Sequence, residues 1–210
     1  PYAGIFDKTW NEILYPTADG DTLQWTKSAG ATHYGLIDDQ NDQTDYVYTS
    51  VDGYKDFLVM GNTAQFPTGA IVKYLNIYVV AKRSSGCYSS QIMYIDLIAN
   101  GIRYNLGQFT PGNSYVTFQL QKITNPITGV AWTKNDIDSL KLCVRSYMFT
   151  SCTFYIASLW VTPQYQGDVS ISSFLFSAPT KSYVYKYGGT VMDDTRTTGY
   201  NISGLPITAT

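Results

Sequence analysis

Gln91-Ile92-Met93-Tyr94-Ile95-Asp96-Leu97-Ile98-Ala99-Asn100-Gly101-Ile102-Arg103-Tyr104-Asn105-Leu106 decides how this chain folds. Two apolar runs meet at Asn-Gly, the pair best suited to a two-residue type I′ turn, because both central positions need positive φ. The stretch therefore predicts two antiparallel strands, 91–99 and 102–106, as neighbours in one sheet. A second long run, Ala70 to Lys82, alternates: Ile71, Lys73, Leu75, Ile77, Val79 and Ala81 oppose Val72, Tyr74, Asn76, Tyr78 and Val80. A period of two places the mostly aliphatic set on a core face and Tyr74 and Tyr78 on the other, a half-exposed sheet face or subunit contact in preference to a sugar platform.

The same signal recurs outward from these two runs. Thr22 to Thr26, Tyr46 to Val51, Asp56 to Met60, Tyr115 to Gln121, Leu142 to Phe149 and Thr153 to Thr162 are β-rich, with punctuation such as Pro67-Thr68-Gly69 and Pro111-Gly112-Asn113 between strands. One stretch has helical character. In Trp132-Thr133-Lys134-Asn135-Asp136-Ile137-Asp138-Ser139-Leu140, Thr133 caps the first turn and Asp136 reaches back to complete a capping box. Ile137 and Leu140 then face the sheet, while Lys134, Asp138 and Lys141 face water. The expected class is all-β: an antiparallel, jelly-roll-like β-sandwich with one short helix, over residues 14–165. Residues 1–13 form an N-terminal appendage and 166–210 a C-terminal extension with strand candidates Val169 to Phe176 and Ser182 to Tyr187.

Composition narrows the function. The 210 residues hold 14 Lys plus Arg and 16 Asp plus Glu, for a net charge of -2, without the clustered cations that a polyphosphate partner requires, so nucleic acid is disfavoured. Apolar runs such as Ile77 to Ala81 are far short of the ~20 residues of a membrane-spanning helix. Charged residues are only 14% of the chain while Tyr contributes 19, a surface suited to packing or glycan contact. The start at Pro1 implies a processed or incomplete chain, with any targeting peptide out of view.

Chemistry is sparse. His33 is the single histidine and sits beside Tyr34, a setting for a structural residue rather than a general base. Cys87, Cys143, Cys152 and His33 lack zinc-ligand spacing, Glu12 is the only Glu, and nothing nominates a carboxylate pair for glycoside hydrolysis. No catalytic, cofactor-binding or metal-ligating residue is assigned. The acidic stretch Asp38-Asp39-Gln40-Asn41-Asp42-Gln43-Thr44-Asp45 could wrap a structural Ca²⁺, but it lacks the mid-loop Gly and terminal Glu of an EF-hand, and a solvated loop of Asx turns is the preferred reading. Cys143 and Cys152 flank a hairpin that a disulfide could cross, and buried free thiols are the alternative. Asn201-Ile202-Ser203 is the one N-glycosylation sequon. Trp10, Trp25, Trp132 and Trp160 with the tyrosines keep carbohydrate stacking open.

A pattern spread along the chain carries a resemblance. Pro16, Asp19, Gly20 and Trp25 open it; His33, Tyr34, Asp38, Asp39, Asp45 to Val47, Asp56, Phe57, Pro67, Gly69 and Ile71 continue it; Asn125-Pro126-Ile127-Thr128-Gly129-Val130-Ala131-Trp132-Thr133 closes it. Between Leu14 and Tyr165 the chain resembles β-sandwich proteins common in tailed-phage genomes and environmental sequences. The resemblance implies a lectin-like or jelly-roll sandwich in a virion structural protein, and carries over no catalytic residues.

The extension bears on assembly, because strands outside a finished sandwich need a partner: a neighbouring subunit's sheet edge by β-augmentation, or this chain's own sandwich. The expectation is a non-enzymatic structural subunit that self-assembles through its sandwich faces and terminal segments, as a virion component of a tailed phage or similar virus. A subunit of an extracellular filament or sheath comes second, and a carbohydrate-binding module third. The expected partners are copies of itself, other virion proteins or surface glycans, in a virion or extracellular setting.

Overall fold

The computed structural model describes the backbone of residues 5–170 apart from 41, 65, 67–69 and 100, and of 184–187, 190–193, 198–200 and 206–208; side chains are described between residues 11 and 166. In chain order the elements are β1 (Ile5–Asn11), β2 (Pro16–Leu23), β3 (Thr26–Lys27), a 3-10 turn (Tyr34–Leu36), β4 (Val47–Thr49), β5 (Lys55–Met60), β6 (Ile71–Arg83), β7 (Ile92–Ala99), β8 (Ile102–Phe109), β9 (Val116–Lys122), α1 (Lys134–Asp138), β10 (Lys141–Tyr147) and β11 (Phe154–Ser170). One sheet has the order β3-β4-β11-β6-β9 with β1 also on β11, and the other β2-β5-β10-β7-β8; all pairings are antiparallel. This is the all-β sandwich that the alternating runs predict.

Ala99 pairs with Ile102 across the Asn-Gly turn, and Gly101 has φ +74°, so β7 and β8 are neighbours as the opening stretch requires. Between the sheets lies one core, including Leu58, Met60, Leu75, Ile77, Val79, Met93, Ile95, Leu142, Val144, Phe154, Ile156, Leu159 and Val161, all at most 1% exposed. The alternation in β6 breaks its expected phase at one point. Gln164 pairs with Tyr74 but Tyr165 with Val72, leaving Lys73 unpaired in a bulge. Before that bulge Val72 turns into the core and Ile71 and Lys73 face out; Tyr74, Asn76 and Tyr78 keep the outer face.

β11 is the spine. One edge carries β6, and the other is closed by four separate pieces: β4 against Phe154–Ile156, the Ile37 carbonyl on the Leu159 N–H at 2.9 Å, a bridge from Leu14 to Val161, and β1 against Gln164–Ser170. The first residues thus pair with the strand that leads into the C-terminal segment, which satisfies a long backbone edge that would otherwise invite another chain. Residues 4–170 form one compact unit. Beyond it, β12 (Val184–Tyr187) pairs with β13 (Thr190–Asp193), and β14 (Thr198–Tyr200) with β15 (Pro206–Thr208). Pro67-Thr68-Gly69, residues 171–176 of the first C-terminal strand candidate and the sequon at Asn201 lie outside the described residues.

The helix forms where its caps are. The Thr133 side chain accepts from the Asp136 N–H, while the Asp136 carboxylate accepts from Thr133 N and Oγ1 at 2.8 and 2.7 Å. Ile137 and Leu140 are buried as expected. Asp138 departs from the expectation: instead of facing water it accepts from Thr63 N (2.8 Å) and Oγ1 (2.7 Å), and from Lys134 one turn back, fastening the helix to the β5–β6 connection.

Candidate ligand-binding face

The residues carrying the family resemblance turn out to hold the fold. Asp19 accepts from the N–H groups of His33 and Tyr34. Asp56, buried in β5, accepts from Gln24 N (2.7 Å), Trp25 N (2.8 Å) and faces His33 Nδ1 at 2.5 Å. The Trp25 indole donates to the Tyr54 carbonyl and the Trp132 indole to the Lys122 carbonyl, both at 3.1 Å. Asn125 closes its loop on itself, accepting from Ile127 N through its side chain and from Gly129 N through its carbonyl, with Gly129 at φ +72°. These are turn-closing and core-plugging roles.

The acidic loop behaves likewise. Asp39 accepts from Asp42 N (3.0 Å) and Asp42 from Thr44 N (2.7 Å), two local Asx-type turns, and among the described residues no three His, Cys, Asp or Glu side chains gather as a metal cage. Hydrogen bonds from Thr44 hold Asp42 below the usual carboxylate range. Partial burial, then the charges of Asp42, Asp39 and Asp38, push Asp45 up.

The cysteines pair otherwise than across the 143–152 hairpin. Cys152 bonds Cys87, 65 residues away, with Cα atoms 5.2 Å apart. Cys143 is free and buried, because β10 turns its side chain to the outer face of the five-stranded sheet while Cys152 precedes β11 and belongs to the core. Burial above all, then Asp96, pushes the Cys143 thiol up to about 12 against the opposing pull of Arg103, Arg145 and Lys55, so it stays protonated and inert as a nucleophile. Beside the disulfide lies an open depression of about 370 Å³ lined by Ser50, Ser84, Ser151, Cys152 and Thr153. It offers hydroxyls but neither charge nor aromatic surface.

The outer face of the five-stranded sheet is richer. Cross-strand register sets Lys55, Arg145 and Tyr94 in one row and Phe57, Cys143, Asp96 and Asn105 in the next, with Val59 beside Lys141 and Ile98 beside Arg103. Asp96 is 2% exposed and enclosed by its partners: Arg145 Nε at 3.1 Å, Asn105 Nδ2 at 3.2 Å and Arg103 Nη1 at 3.7 Å. The Arg145 guanidinium also lies over the Tyr94 ring, 4.1 Å from its centroid. From Tyr94 a row of rings continues, edge to face, through Tyr147 (6.0 Å) to Phe149 (4.7 Å). Tyr147 and Phe149 are 37% and 61% exposed, so an aromatic strip runs from solvent to a fixed guanidinium.

Trp25, Trp132 and Trp160 are buried, and the side chain of Trp10 lies outside the described residues. The exposed stacking surface is therefore made by Tyr and Phe, none of which stands out in the sequence. Only alternation within β7 (Tyr94, Asp96) and β10 (Cys143, Arg145, Tyr147) could have grouped them, and only once the two strands were known to be neighbours.

No protein-family model matches the sequence, and no curated protein matches it. Among solved structures, a family 29 carbohydrate-binding module from Piromyces equi aligns over 74% of this chain and 91% of its own, with 8% identity and a TM-score of 0.39. A family 4 carbohydrate-binding module aligns over 62% and 81%, with 16% identity and a TM-score of 0.38. The enzymatically active domain of the bacteriophage CBA120 tailspike protein 4 aligns over 72% of this chain and 19% of its own, with 11% identity and a TM-score of 0.37. Likenesses this loose carry nothing about the site.

Proposed function

We propose that this protein is a non-catalytic glycan-binding β-sandwich whose outer five-stranded face receives the sugar. The observation that carries the reading is the strip of exposed Phe149 and Tyr147 and half-buried Tyr94 that ends at Arg145, itself locked to Asp96. A pyranose presents an apolar C–H face that stacks on an aromatic ring and a rim of hydroxyls that needs fixed donors and acceptors. Tyr and Phe supply the first, and Arg145, Asn105, Arg103 and Gln108, the exposed β8 residue opposite Tyr94, the second. Strand backbones hold all of these groups except Phe149, which sits in the bend just after β10, so little ordering is needed on binding.

The resemblance to tailed-phage proteins supports placing this module on a virion, at a surface that meets host glycans. Self-association is the second reading, favoured by the other sheet's outer face. There Tyr46, Tyr48 and Tyr155 contact one another, Tyr78 stacks on Trp160 at 5.0 Å, and Lys82 lies over the rings of Tyr115 and Tyr155.

A glycan array followed by calorimetric titration tests the first reading. Binding to a glycan class, weakened by Phe149→Ala and Tyr147→Ala and unaffected by Tyr48→Ala, is expected. Silence across the array, with light scattering showing oligomers that Tyr155→Glu dissolves, would replace glycan binding by self-assembly.

A further inference from the structure

The proposed sugar face is electrostatically lopsided. Lys55, Lys141, Arg103 and Arg145 all lie on the outer face of the five-stranded sheet, where Asp96 is the carboxylate set among them. Asp96 is already shared between two arginines and Asn105, and no carboxylate pairs with Lys55 or Lys141 among the described residues. Asp52, on the β4–β5 turn, accepts from the Met148 N–H at 2.8 Å. Four of the chain's 14 Lys and Arg residues thus share this one face.

The register sharpens the point. Lys55 is the direct cross-strand partner of Arg145, and like charges placed opposite each other in a sheet cost stability. Such local conflicts are expected at functional sites, where a ligand relieves them. Arg145 is also pre-set. Its Nε is tied to Asp96 and its plane rests on Tyr94, while its terminal nitrogens have no acceptor among the described residues. A guanidinium held by one edge and one face presents its remaining donors as a fork matched to a planar or tetrahedral oxyanion.

We propose that this face recognises an anionic saccharide, its acidic group held by Arg145 with Lys55 and its ring stacked along Tyr147 and Phe149. The inference rests on the glycan-binding reading and adds the charge class of the ligand. Carboxylate and sulfate share the chemistry that the fork reads, so the experiment separates them.

The test uses the full chain on immobilised oligogalacturonate, the same oligomer methyl-esterified, sialyllactose, lactose, and a heparin oligosaccharide with its desulfated form. Binding to a carboxylated or a sulfated member, falling roughly tenfold or more when that group is esterified or removed, is the expected result. It should also weaken as salt rises from about 0.1 to about 1 M, which shortens the screening length from about 10 to about 3 Å. Arg145→Gln should abolish the preference for the charged member. Because that change leaves Asp96 short of a partner, Lys55→Gln, at a residue that pairs with no carboxylate among the described residues, serves as the second variant, weakening the charged ligand severalfold without lowering the melting temperature. Equal binding to charged and neutral members would overturn the acidic specificity while leaving glycan binding intact. Binding to neither would overturn both.

Discussion

His33 Nδ1 lies 2.5 Å from Asp56 Oδ2 in the interior, 23 residues apart in the chain, and the other oxygen of the same carboxylate takes the N–H groups of Gln24 and Trp25. One side chain in β5 thus anchors two passes of the 24–37 segment. The sequence's one histidine thus ties the 24–37 segment to β5.

Asp56→Ala should therefore behave as the loss of a buried polar hub, not of one bond. It strands two backbone donors and an imidazole in the interior, for which a cost of roughly 3–5 kcal/mol is expected. Urea unfolding monitored by Trp fluorescence would measure it. A loss below 1 kcal/mol would mean that water replaces the carboxylate.

Gly20 faces a different constraint. A Cβ there would stand 2.6 Å from Phe57 Cβ and 2.7 Å from the Phe57 carbonyl oxygen, and the backbone atom cannot swing aside. Gly20→Ala should force β2 away from β5 and cost about 1–3 kcal/mol, the usual range for overpacking. Thermal denaturation against the parent would show it, with Gly112→Ala, whose surroundings are open and whose φ is not positive, as the control.

The Cys87–Cys152 bond closes a loop of 65 residues, for which chain entropy gives a stabilisation of about 4 kcal/mol as an upper figure. Reduction, or Cys87→Ser with Cys152→Ser, should lower the melting temperature, and Cys143→Ser should leave the bond intact. Iodoacetamide should label Cys143 only in denaturant, since its thiol is buried with a pKa raised to about 12.

Two carboxylates should act on acid stability with opposite signs. At Asp138 burial raises the pKa, but hydrogen bonds from Lys134 and Thr63 outweigh it and the net direction is down. Its contribution is full above the unfolded value near 4 and is lost as pH falls through the lower folded value, so Asp138→Asn should flatten the acid limb of the stability curve. Asp45 is raised, by burial first and then by Asp42, Asp39 and Asp38. Its cost is present above its folded value and relieved as pH falls through it, so Asp45→Asn should stabilise the protein at pH 7 and change nothing at pH 3. Chemical denaturation across pH 3–8 distinguishes the two.

Local chemistry made much of the sandwich legible. Period-two runs named most of the strands, although the candidate Thr22 to Thr26 spans the break between β2 and β3 and β1 went unread; Asn100-Gly101 named the β7–β8 hairpin, and Thr133 with Asp136 the start of α1, because each depends on residues within a few positions of one another. What depends on distant partners stayed hidden. Nothing local says that β6 carries a bulge at Lys73, that Cys152 meets Cys87, or that residues 5–11 close the far edge of β11. The candidate site belongs to the second kind. Tyr94, Asp96, Arg145 and Lys55 become one surface only because β7, β10 and β5 are hydrogen-bonded side by side, and strand order is set by packing across the whole core, which no single stretch of sequence contains.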